Sequence, residues 1–348
     1  MYKILVFGMT NNRGGMESVI KNFFTYMDKD KFHLDFVCTR EGEIGFKEDF
    51  DRLSKSPIQY HRVPRRREQP VLYKKALEKV FKEGNYDAIW INALMIVNLG
   101  NMKMAKKYGV KKIILHSHNA KTTAKQFSNL VHDVTKHFVH RYATDFWSCS
   151  EQATDWMFPK KIHDKVKWIP NAIDIDKFIF NEEKRNKLRK EFNITDEEFI
   201  IGNVARIDYQ KNQEFIIDVF SEFAKRKDKT RLFLVGGGDT SSLELQATKL
   251  GIRDKVEFLG MRSDVEDLCS MFDFFIFPSR FEGLGVALLE AQANGVPILA
   301  SDVIPPEVIV NSNYHYLSLS DSPIKWAEKI LELQQEKRID INIVKNNL

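Results

Sequence analysis

Residues 277–290 read FPSRFEGLGVALLE and lie between two short apolar runs. The hydrophobic pattern predicts a strand at Asp273–Phe277, a helix at Gly285–Asn294 and a further strand at Pro297–Ala300. A strand, a helix and a strand in this order form the unit from which parallel sheets are built. Ligands bind such sheets at the carboxyl ends of the strands, so the stretch predicts an α/β fold with a binding loop before the helix.

The chemistry of this loop and helix suits a sugar linked to a diphosphate. Glu282 lies in the loop, and Glu290 lies about two turns further on. Free backbone amides and the helix dipole stabilise a phosphate at a helix N-terminus. We expect Glu282 to accept hydrogen bonds from sugar hydroxyls and Glu290 to accept them from a ribose. The amides at this N-terminus belong to Gly283, Leu284, Gly285 and Val286.

The same alternation of strands and helices runs along the chain and restarts after Pro170. Predicted strands in the first half are Lys3–Gly8, Leu34–Cys38, Ala88–Asn92, Lys112–Leu115, Asp145–Cys149 and Lys167–Ile169. Further predicted strands are Phe199–Arg206, Arg231–Gly236 and Lys255–Leu259. Further predicted helices are Met16–Met27, Val71–Lys82, Gln213–Lys225, Ser242–Leu250, Asp264–Met271 and one terminal helix at Ile324–Lys337. The sequence predicts two doubly wound domains, 1–175 and 176–348, with the ligand in a cleft between them.

Length and composition exclude several classes of protein. The 348 residues are 43% hydrophobic and 29% charged, which suits two domains and excludes overall disorder. Three widely spaced cysteines without a CxxC pair exclude a disulfide framework and argue against structural zinc. No apolar stretch approaches the ~20 residues that a bilayer span needs, and the N-terminus has no signal-peptide pattern. We therefore expect a cytoplasmic protein.

Charge is distributed unevenly between the two halves. Residues 1–170 hold 30 Lys and Arg against 18 Asp and Glu, whereas residues 171–348 hold 23 against 30. The excess in the first half indicates an anionic partner, either a membrane surface or a phosphorylated substrate, or else ordinary solvated lysines. The same alternatives apply to the basic stretch 61–67 and to Lys121 and Lys125.

Two loops of the first half follow predicted strands. Paired glycines, Gly14 and Gly15, let a backbone approach a ligand closely and lead into a helix; the alternative is a plain tight turn. His116 and His118 lie two residues apart at a strand end, so their side chains share one face. They suit a substrate hydroxyl better than a metal, because no further ligand has the right spacing. A buried structural histidine is the alternative. Asn119 follows directly.

Three loops of the second half offer groups that suit a nucleotide or diphosphate ligand. Arg206 and Lys211 follow the first strand, and a forked guanidinium beside a point charge suits a diphosphate. Gly237 and Asp239 lie in a glycine run after the next strand, where a nucleotide can approach. Arg262 ends a further strand and is placed to contact a base edge.

These motifs together resemble glycosyltransferase family 4, whose members have the GT-B fold and use nucleotide-sugar donors with retention. The resemblance covers nearly the whole chain. Within the family, the chain is similar in particular to the enzymes that build bacterial capsules and exopolysaccharides. The matching segments are RGGMESVI at 13–20, HSHN at 116–119, IPNAIDIDKF at 169–178, VARIDYQKN at 204–212, LVGGGD at 234–239 and EGLGVALLEAQANGVPILASD at 282–302.

The resemblance implies a role for each matching residue. Arg206 and Lys211 would neutralise the diphosphate, Glu282 would hold the donor sugar, and Glu290 would hold the ribose. His118 would contact the sugar near its reacting carbon.

The resemblance also implies contacts from three further residues of the first half of the chain. Gly15 would pack near the diphosphate, and His116 and Asn119 would lie on the acceptor side. Neither a divalent metal nor a cofactor is expected, because cations and helix amides take the metal's place.

The resemblance predicts a retaining transfer from a nucleoside-diphosphate sugar, UDP-linked by preference, to a hydroxyl of a saccharide acceptor. A polyprenyl-diphosphate-linked acceptor and peripheral contact with an anionic membrane at its cytoplasmic face are expected; nucleic acid is not. Two alternatives remain open, namely a nucleotide-sugar epimerase and a non-catalytic GT-B-like subunit. Members of the family end with a helix that crosses back onto the first domain. We expect this helix to be absent or truncated here, because the chain ends soon after a single terminal helix, and this raises the question of interdomain closure.

Overall fold

Two parallel β-sheets organise the computed structural model, which describes residues 1–39, 41–121 and 126–347. The chain divides into two units, Met1–Ala172 and Ile173–Leu348. The predicted division follows residue 175, three residues after Ala172. Each unit has its own sheet with helices packed on it.

The first unit contains a seven-stranded sheet in the order β3-β2-β1-β4-β5-β6-β7. Its strands are β1 Tyr2–Phe7, β2 Phe32–Cys38, β3 Tyr60–Arg62, β4 Ala88–Ala93, β5 Lys112–Ser117, β6 Asp145–Ser148 and β7 Val166–Trp168. Its α-helices are α1 Gly15–Tyr26, α2 Lys47–Leu53, α3 Pro70–Gly84, α4 Gly100–Lys107, α5 Gln126–Thr135 and α6 Glu151–Met157. Short 3-10 helices lie at Lys136–Arg141 and Lys160–Lys165.

Both faces of this sheet are buried, as a parallel sheet requires. Successive residues of β1 point to opposite faces: Leu5 packs in one apolar cluster with Leu77, and Val6 packs in another with Ile20. This is why the strand is apolar throughout instead of alternating with polar residues. The chain runs outward from β1 in both directions, so the sheet reverses its order between β1 and β4.

The second unit repeats the plan with six strands in the order β10-β9-β8-β11-β12-β13. Its strands are β8 Phe199–Val204, β9 Thr230–Val235, β10 Val256–Gly260, β11 Phe274–Phe277, β12 Ile298–Ser301 and β13 Tyr314–Leu317. Its α-helices are α7 Ile175–Phe178, α8 Glu182–Glu191, α9 Gln213–Ala224, α10 Ser241–Lys249, α11 Val265–Met271, α12 Val286–Asn294, α13 Pro323–Leu333 and α14 Ile341–Asn347. Short 3-10 helices lie at Arg253–Lys255 and Pro306–Val308.

The end of the chain corrects one expectation. A second terminal helix, α14, follows α13 and packs against α12, and the Lys345 ammonium lies 2.8 Å from the Asp176 carboxylate. The prediction of a single terminal helix was wrong because α14 has only seven residues, three of them asparagines. Its Val344 side chain is buried.

The three cysteines are buried free thiols. No helix within the described ranges combines the length and the apolar character needed to cross a bilayer.

Candidate functional site

The loops after β8 and β11 lie side by side where the order of the second sheet reverses. The Gln210 side-chain amide donates to the Phe281 carbonyl oxygen at 2.9 Å, and the Arg280 amide donates to the Gln210 carbonyl oxygen at 2.8 Å. The Asn212 side chain donates to the Pro278 carbonyl oxygen at 3.1 Å. The two loops are therefore fixed to each other before any ligand enters.

Lys211 and Glu282 meet across these loops. The Lys211 Nζ lies 2.5 Å from Glu282 Oε1, and the two side chains are only 15% and 6% exposed. The ammonium also lies 4.8 Å from the centre of the Phe277 ring. The sequence predicted both residues for the site, and the structure brings them into direct contact. A cation held this firmly needs little reorganisation to meet a phosphate.

The helix α12 begins directly after the β11 loop that carries Glu282. Gly285 precedes the helix with φ +86°, a left-handed conformation that strains any residue with a Cβ. No side chain of the described residues caps this terminus, and no acidic residue lies in its first turn. The amides of the first turn and the helix dipole are therefore available to an anion.

Glu290 lies on α12 and is partly buried. Burial raises the pKa of Glu290 to about 8, and the negative charge of the Glu266 carboxylate makes a smaller contribution to this increase. Near neutral pH this carboxyl group is therefore mostly protonated, so it both donates and accepts hydrogen bonds. Both functions suit a pair of adjacent hydroxyls.

Arg206 follows β8 on the loop that carries Lys211. Its guanidinium lies 3.0 Å from the Asp208 carboxylate and is half exposed. The Gln213 side chain donates to the Arg206 carbonyl oxygen at 2.8 Å and so holds the backbone in place. An exposed ion pair of this kind is weak, so the guanidinium can turn to a phosphate at little cost.

The remaining predicted donor-binding residues lie in neighbouring loops. The Gly237 carbonyl oxygen accepts from the Ile207 amide at 2.9 Å, beside the loop of Arg206. Asp239 accepts from the backbone and the hydroxyl of Ser241 and thereby starts α10. The Arg262 guanidinium binds both carboxylate oxygens of Asp264, at 2.8 and 2.6 Å. The ligand contacts predicted for these three residues stay predictions.

The glycine loop of the first unit carries its own negative charge. The helix α1 begins at Gly15 after Gly14, and the buried Glu17 lies in its first turn. Glu17 Oε1 accepts a 2.5 Å hydrogen bond from the Thr10 hydroxyl. A Cβ on Gly14 would lie 2.9 Å from the other Glu17 oxygen. A diphosphate near Gly15, as the sequence predicts, would have to tolerate this carboxylate.

The protonation of His118 is determined by Asn92, at the end of β4. The Asn92 side-chain amide donates to the Phe7 carbonyl oxygen at 3.2 Å, so its oxygen faces His118 Nε2 at 2.7 Å. The Nε2 atom must therefore carry the proton, and Nδ1 presents a free lone pair. Gly8 allows this packing, because a Cβ there would lie 2.4 Å from the Asn92 carbonyl oxygen.

The two predicted histidines form a neutral, buried pair. Their ring centres are 4.0 Å apart, and His116 Nδ1 accepts from the Trp90 indole at 3.3 Å. Burial lowers the pKa of His118 to about 3 and that of His116 well below its usual range. Among the described residues, His118 Nδ1 and His116 Nε2 have no partner. Asn119 instead accepts from the Ala120 amide at 3.0 Å.

Sequence reasoning missed Asn92, Gln210 and Asn212. A polar residue at the end of the apolar strand β4 was a usable signal for Asn92. The two residues beside Lys211 gave none, because their partners are backbone oxygens of a loop distant in sequence. In the parts of the chain that the structure covers, no three His, Cys, Asp or Glu residues lie together as a metal-binding group.

Comparisons with known proteins agree with this architecture. The family model described as Glycosyltransferase Family 4 matches residues 13–177, and the one described as Glycosyl transferases group 1 matches residues 184–347. EpsF of Bacillus subtilis strain 168, named as a glycosyltransferase, is 29% identical over 345 residues, covering 97% of this chain and 89% of EpsF.

Two further proteins are similar to this chain. An Escherichia coli UDP-Gal:alpha-D-GlcNAc-diphosphoundecaprenol alpha-1,3-galactosyltransferase is 23% identical, with 86% of this chain and 79% of the enzyme covered. The crystal structure of Anabaena HepE in complex with UDP-glucose superposes with a TM-score of 0.81 and 20% identity, over 100% of this chain and 93% of HepE. The chain belongs to glycosyltransferase family 4, has the GT-B fold and is a glycosyltransferase.

Proposed function

We propose that the enzyme transfers a sugar from a UDP-sugar to a hydroxyl of a lipid-linked saccharide, with retention at the anomeric carbon. The observation that carries this proposal is the buried Lys211–Glu282 pair, 2.5 Å across, beside the uncapped N-terminus of α12. The cation and the free helix amides suit the diphosphate of such a donor, which departs with the nucleoside, and the carboxylate suits the sugar.

The diphosphate binds to Lys211, Arg206 and the first amides of α12. Both side chains come from the loop after β8, so they approach the phosphates from one direction. The α12 N-terminus supplies backbone N–H donors, and the positive end of the helix dipole adds to the charge of the two cations. This set neutralises the charge that grows on the departing nucleoside diphosphate, so no metal ion is required.

The sugar and the ribose bind to the two glutamates. Glu282, held beside Lys211, accepts hydrogen bonds from donor-sugar hydroxyls. Glu290, mostly protonated near neutral pH, bonds the ribose diol. The neutral His118 contributes an acceptor at Nδ1 for a hydroxyl of the sugar.

The reaction proceeds by attack on the face from which the leaving group departs. The bond between the anomeric carbon and the β-phosphate oxygen breaks, and a bond to the acceptor oxygen forms on the same face. The acceptor proton passes to the departing phosphate oxygen. Catalysis then depends on positioning and on electrostatic stabilisation of the leaving group.

The acceptor is a saccharide on a polyprenyl diphosphate, used in exopolysaccharide or capsule synthesis at the cytoplasmic face of the membrane. One relative supports this choice of acceptor: the E. coli enzyme, whose name states a diphosphoundecaprenol acceptor. The basic first half of the chain suits an anionic acceptor.

The test is a panel of UDP-, GDP-, ADP- and dTDP-sugars, examined by calorimetry and by release of the nucleoside diphosphate. We expect one UDP-sugar to bind and to be slowly hydrolysed without an acceptor. Glu282→Ala should abolish turnover in a folded protein, whereas the matched change Glu214→Ala, on the exposed side of α9, should not. Binding restricted to another nucleotide, or normal turnover by Glu282→Ala, would contradict the proposal.

A further inference from the structure

The helix α5 presents an apolar face to solvent. Phe127, Leu130 and Val134 are 76%, 62% and 56% exposed, and their spacing of three and four residues places them on one side of the helix. Single exposed apolar residues are ordinary, but three on one helix face are not.

This helix is held in place from its other side. His132 is fully buried; its Nε2 donates to the Trp156 carbonyl oxygen at 3.0 Å, and its Nδ1 accepts from the Ile96 amide at 3.0 Å. Both ring nitrogens are therefore used by backbone groups of two other segments. Since His132 anchors the inner side of α5, the apolar face is turned outward by specific contacts.

Further exposed apolar residues lie on a loop that contacts α5, since the Ile96 amide of this loop donates to His132. Leu94 and Val97 lie on the loop after β4 and are 41% and 42% exposed. The Trp156 indole donates to the Leu94 carbonyl oxygen at 2.8 Å. Because the Trp156 carbonyl oxygen also accepts from His132, Trp156 contacts both this loop and α5. We call the resulting surface the apolar edge; it consists of Leu94, Val97, Phe127, Leu130 and Val134.

Cations lie on the adjoining elements. The Tyr73 hydroxyl donates to the Asn101 side chain at 2.8 Å, which joins the start of α3 to the start of α4, directly after the loop of Leu94 and Val97. Exposed basic residues occupy this end of α3 and the loop before it: Arg65, Arg66, Arg67, Lys74 and Lys75. Lys121 is exposed as well, whereas Lys125 lies outside the described residues.

We propose that the apolar edge and these cations form the surface by which the enzyme docks on an anionic lipid bilayer. Apolar side chains enter the boundary between headgroups and acyl chains, while cations gain from the negative surface potential. A second copy of the chain is a poorer occupant, because it would bring the same cations together. The inference extends the proposed lipid-linked acceptor, but it concerns binding to the membrane and not the transfer reaction.

The experiment measures sedimentation of the full-length protein with vesicles of phosphatidylglycerol and phosphatidylcholine, without donor or acceptor. The triple variant Phe127→Ser, Leu130→Ser, Val134→Ser should reduce the bound fraction at least tenfold at any salt concentration. The variant Arg65→Ser, Arg66→Ser, Arg67→Ser should lose about fivefold per cation at low salt and flatten the salt dependence.

The matched control carries three serines at exposed apolar positions of the second unit, Leu245, Tyr316 and Ile324. It should bind vesicles like the unchanged protein. Circular dichroism of every variant reports folding, and calorimetry with UDP reports donor binding, so loss of the proposed function is distinguishable from loss of docking. Unchanged sedimentation of the α5 variant would overturn the inference, as would a dimer that this variant dissociates while vesicle binding persists.

Discussion

At the level of single residues, Asn92 controls the chemistry of His118. In Asn92→Asp a carboxylate replaces the amide oxygen that lies 2.7 Å from His118 Nε2. The added negative charge raises the pKa of His118, which burial otherwise lowers to about 3. We expect an acid limb to appear in the pH profile of turnover, because protonated His118 has lost its acceptor at Nδ1. Steady-state rates between pH 5 and 8 measure this.

The control for this prediction is Asn92→Leu, which adds no charge. It removes the hydrogen bond that fixes the tautomer of His118, so it should lower turnover without introducing the acid limb. A pH profile of Asn92→Asp that matches the unchanged enzyme would contradict the role of Asn92 in positioning His118.

The Lys211–Glu282 pair makes a second prediction. Because both side chains are mostly buried, Lys211→Met or Glu282→Gln alone leaves one group without its partner and should cost about 3 kcal/mol of unfolding free energy. The double variant should cost less than the sum of the two. Urea unfolding of the four proteins gives the coupling energy, and additive losses would mean that the pair is not formed in solution.

The same variants separate binding from turnover. Lys211→Met should weaken UDP binding, since the cation meets the diphosphate. Glu282→Gln should keep UDP binding and lose transfer, since the carboxylate meets the sugar.

Glu290 gives a pH-dependent stability with a defined sign. Its pKa is raised to about 8 in the folded protein, so the folded state retains a proton that the unfolded state has already lost. Stability from this group is therefore present below the unfolded pKa, near 4.5, and is lost as the pH rises toward 8. Melting temperatures at pH 5, 6.5 and 8 should fall less steeply for Glu290→Gln. Parallel curves for the two proteins would contradict this prediction.

At the level of elements, two partly buried arginines bind the carbonyl oxygens at the C-terminus of α11. Arg338 donates to the Cys269 and Ser270 carbonyl oxygens at 3.3 and 3.2 Å and also bonds that of Phe272. Arg185 donates to the Ser270 and Met271 carbonyl oxygens at 3.2 and 2.9 Å. The last carbonyls of a helix have no partners within it, and positive charge favours that end of the dipole.

Arg338→Met should therefore destabilise the protein by about 3 kcal/mol, because several buried carbonyls lose their donors at once. Chemical denaturation measures the loss. The surface change Arg226→Met, at a residue paired with Glu222 on α9, should alter stability by less than about 0.5 kcal/mol. Equal effects of the two changes would show that the carbonyls find other partners.

The predictability of an element depended on its apolar pattern. The prediction was correct to within a few residues for central strands such as β1 and β11 and for the helices α9 and α12. A buried strand is a continuous run of apolar residues, and a helix packed on a sheet has an apolar stripe. The edge strands β3 and β13 and the helix α8 were missed. The first two have little buried surface, and α8 is almost entirely charged around one buried leucine, Leu188.

At the level of the whole molecule, the sequence predicted two α/β units, and two of its candidate site residues, Lys211 and Glu282, lie in contact in the second unit. It did not predict strand order, because order depends on contacts between segments distant in sequence. The contact of Lys211 with Glu282 was unpredictable for the same reason: 71 residues separate them, and only the meeting of the β8 and β11 loops joins them.

The division at Ala172/Ile173 leads to a final prediction about the two units. Arg206, Lys211, Glu282, Glu290 and the α12 N-terminus all belong to the second unit. A fragment of residues 173–348 should therefore bind UDP within about tenfold of the full chain, a difference of about 1.4 kcal/mol. The same fragment should not transfer sugar, because His118 belongs to the first unit. Calorimetry measures the affinity, and circular dichroism shows whether the fragment is folded. A folded fragment without UDP affinity would mean that the first unit supplies essential contacts to the diphosphate, with Gly15 the first candidate.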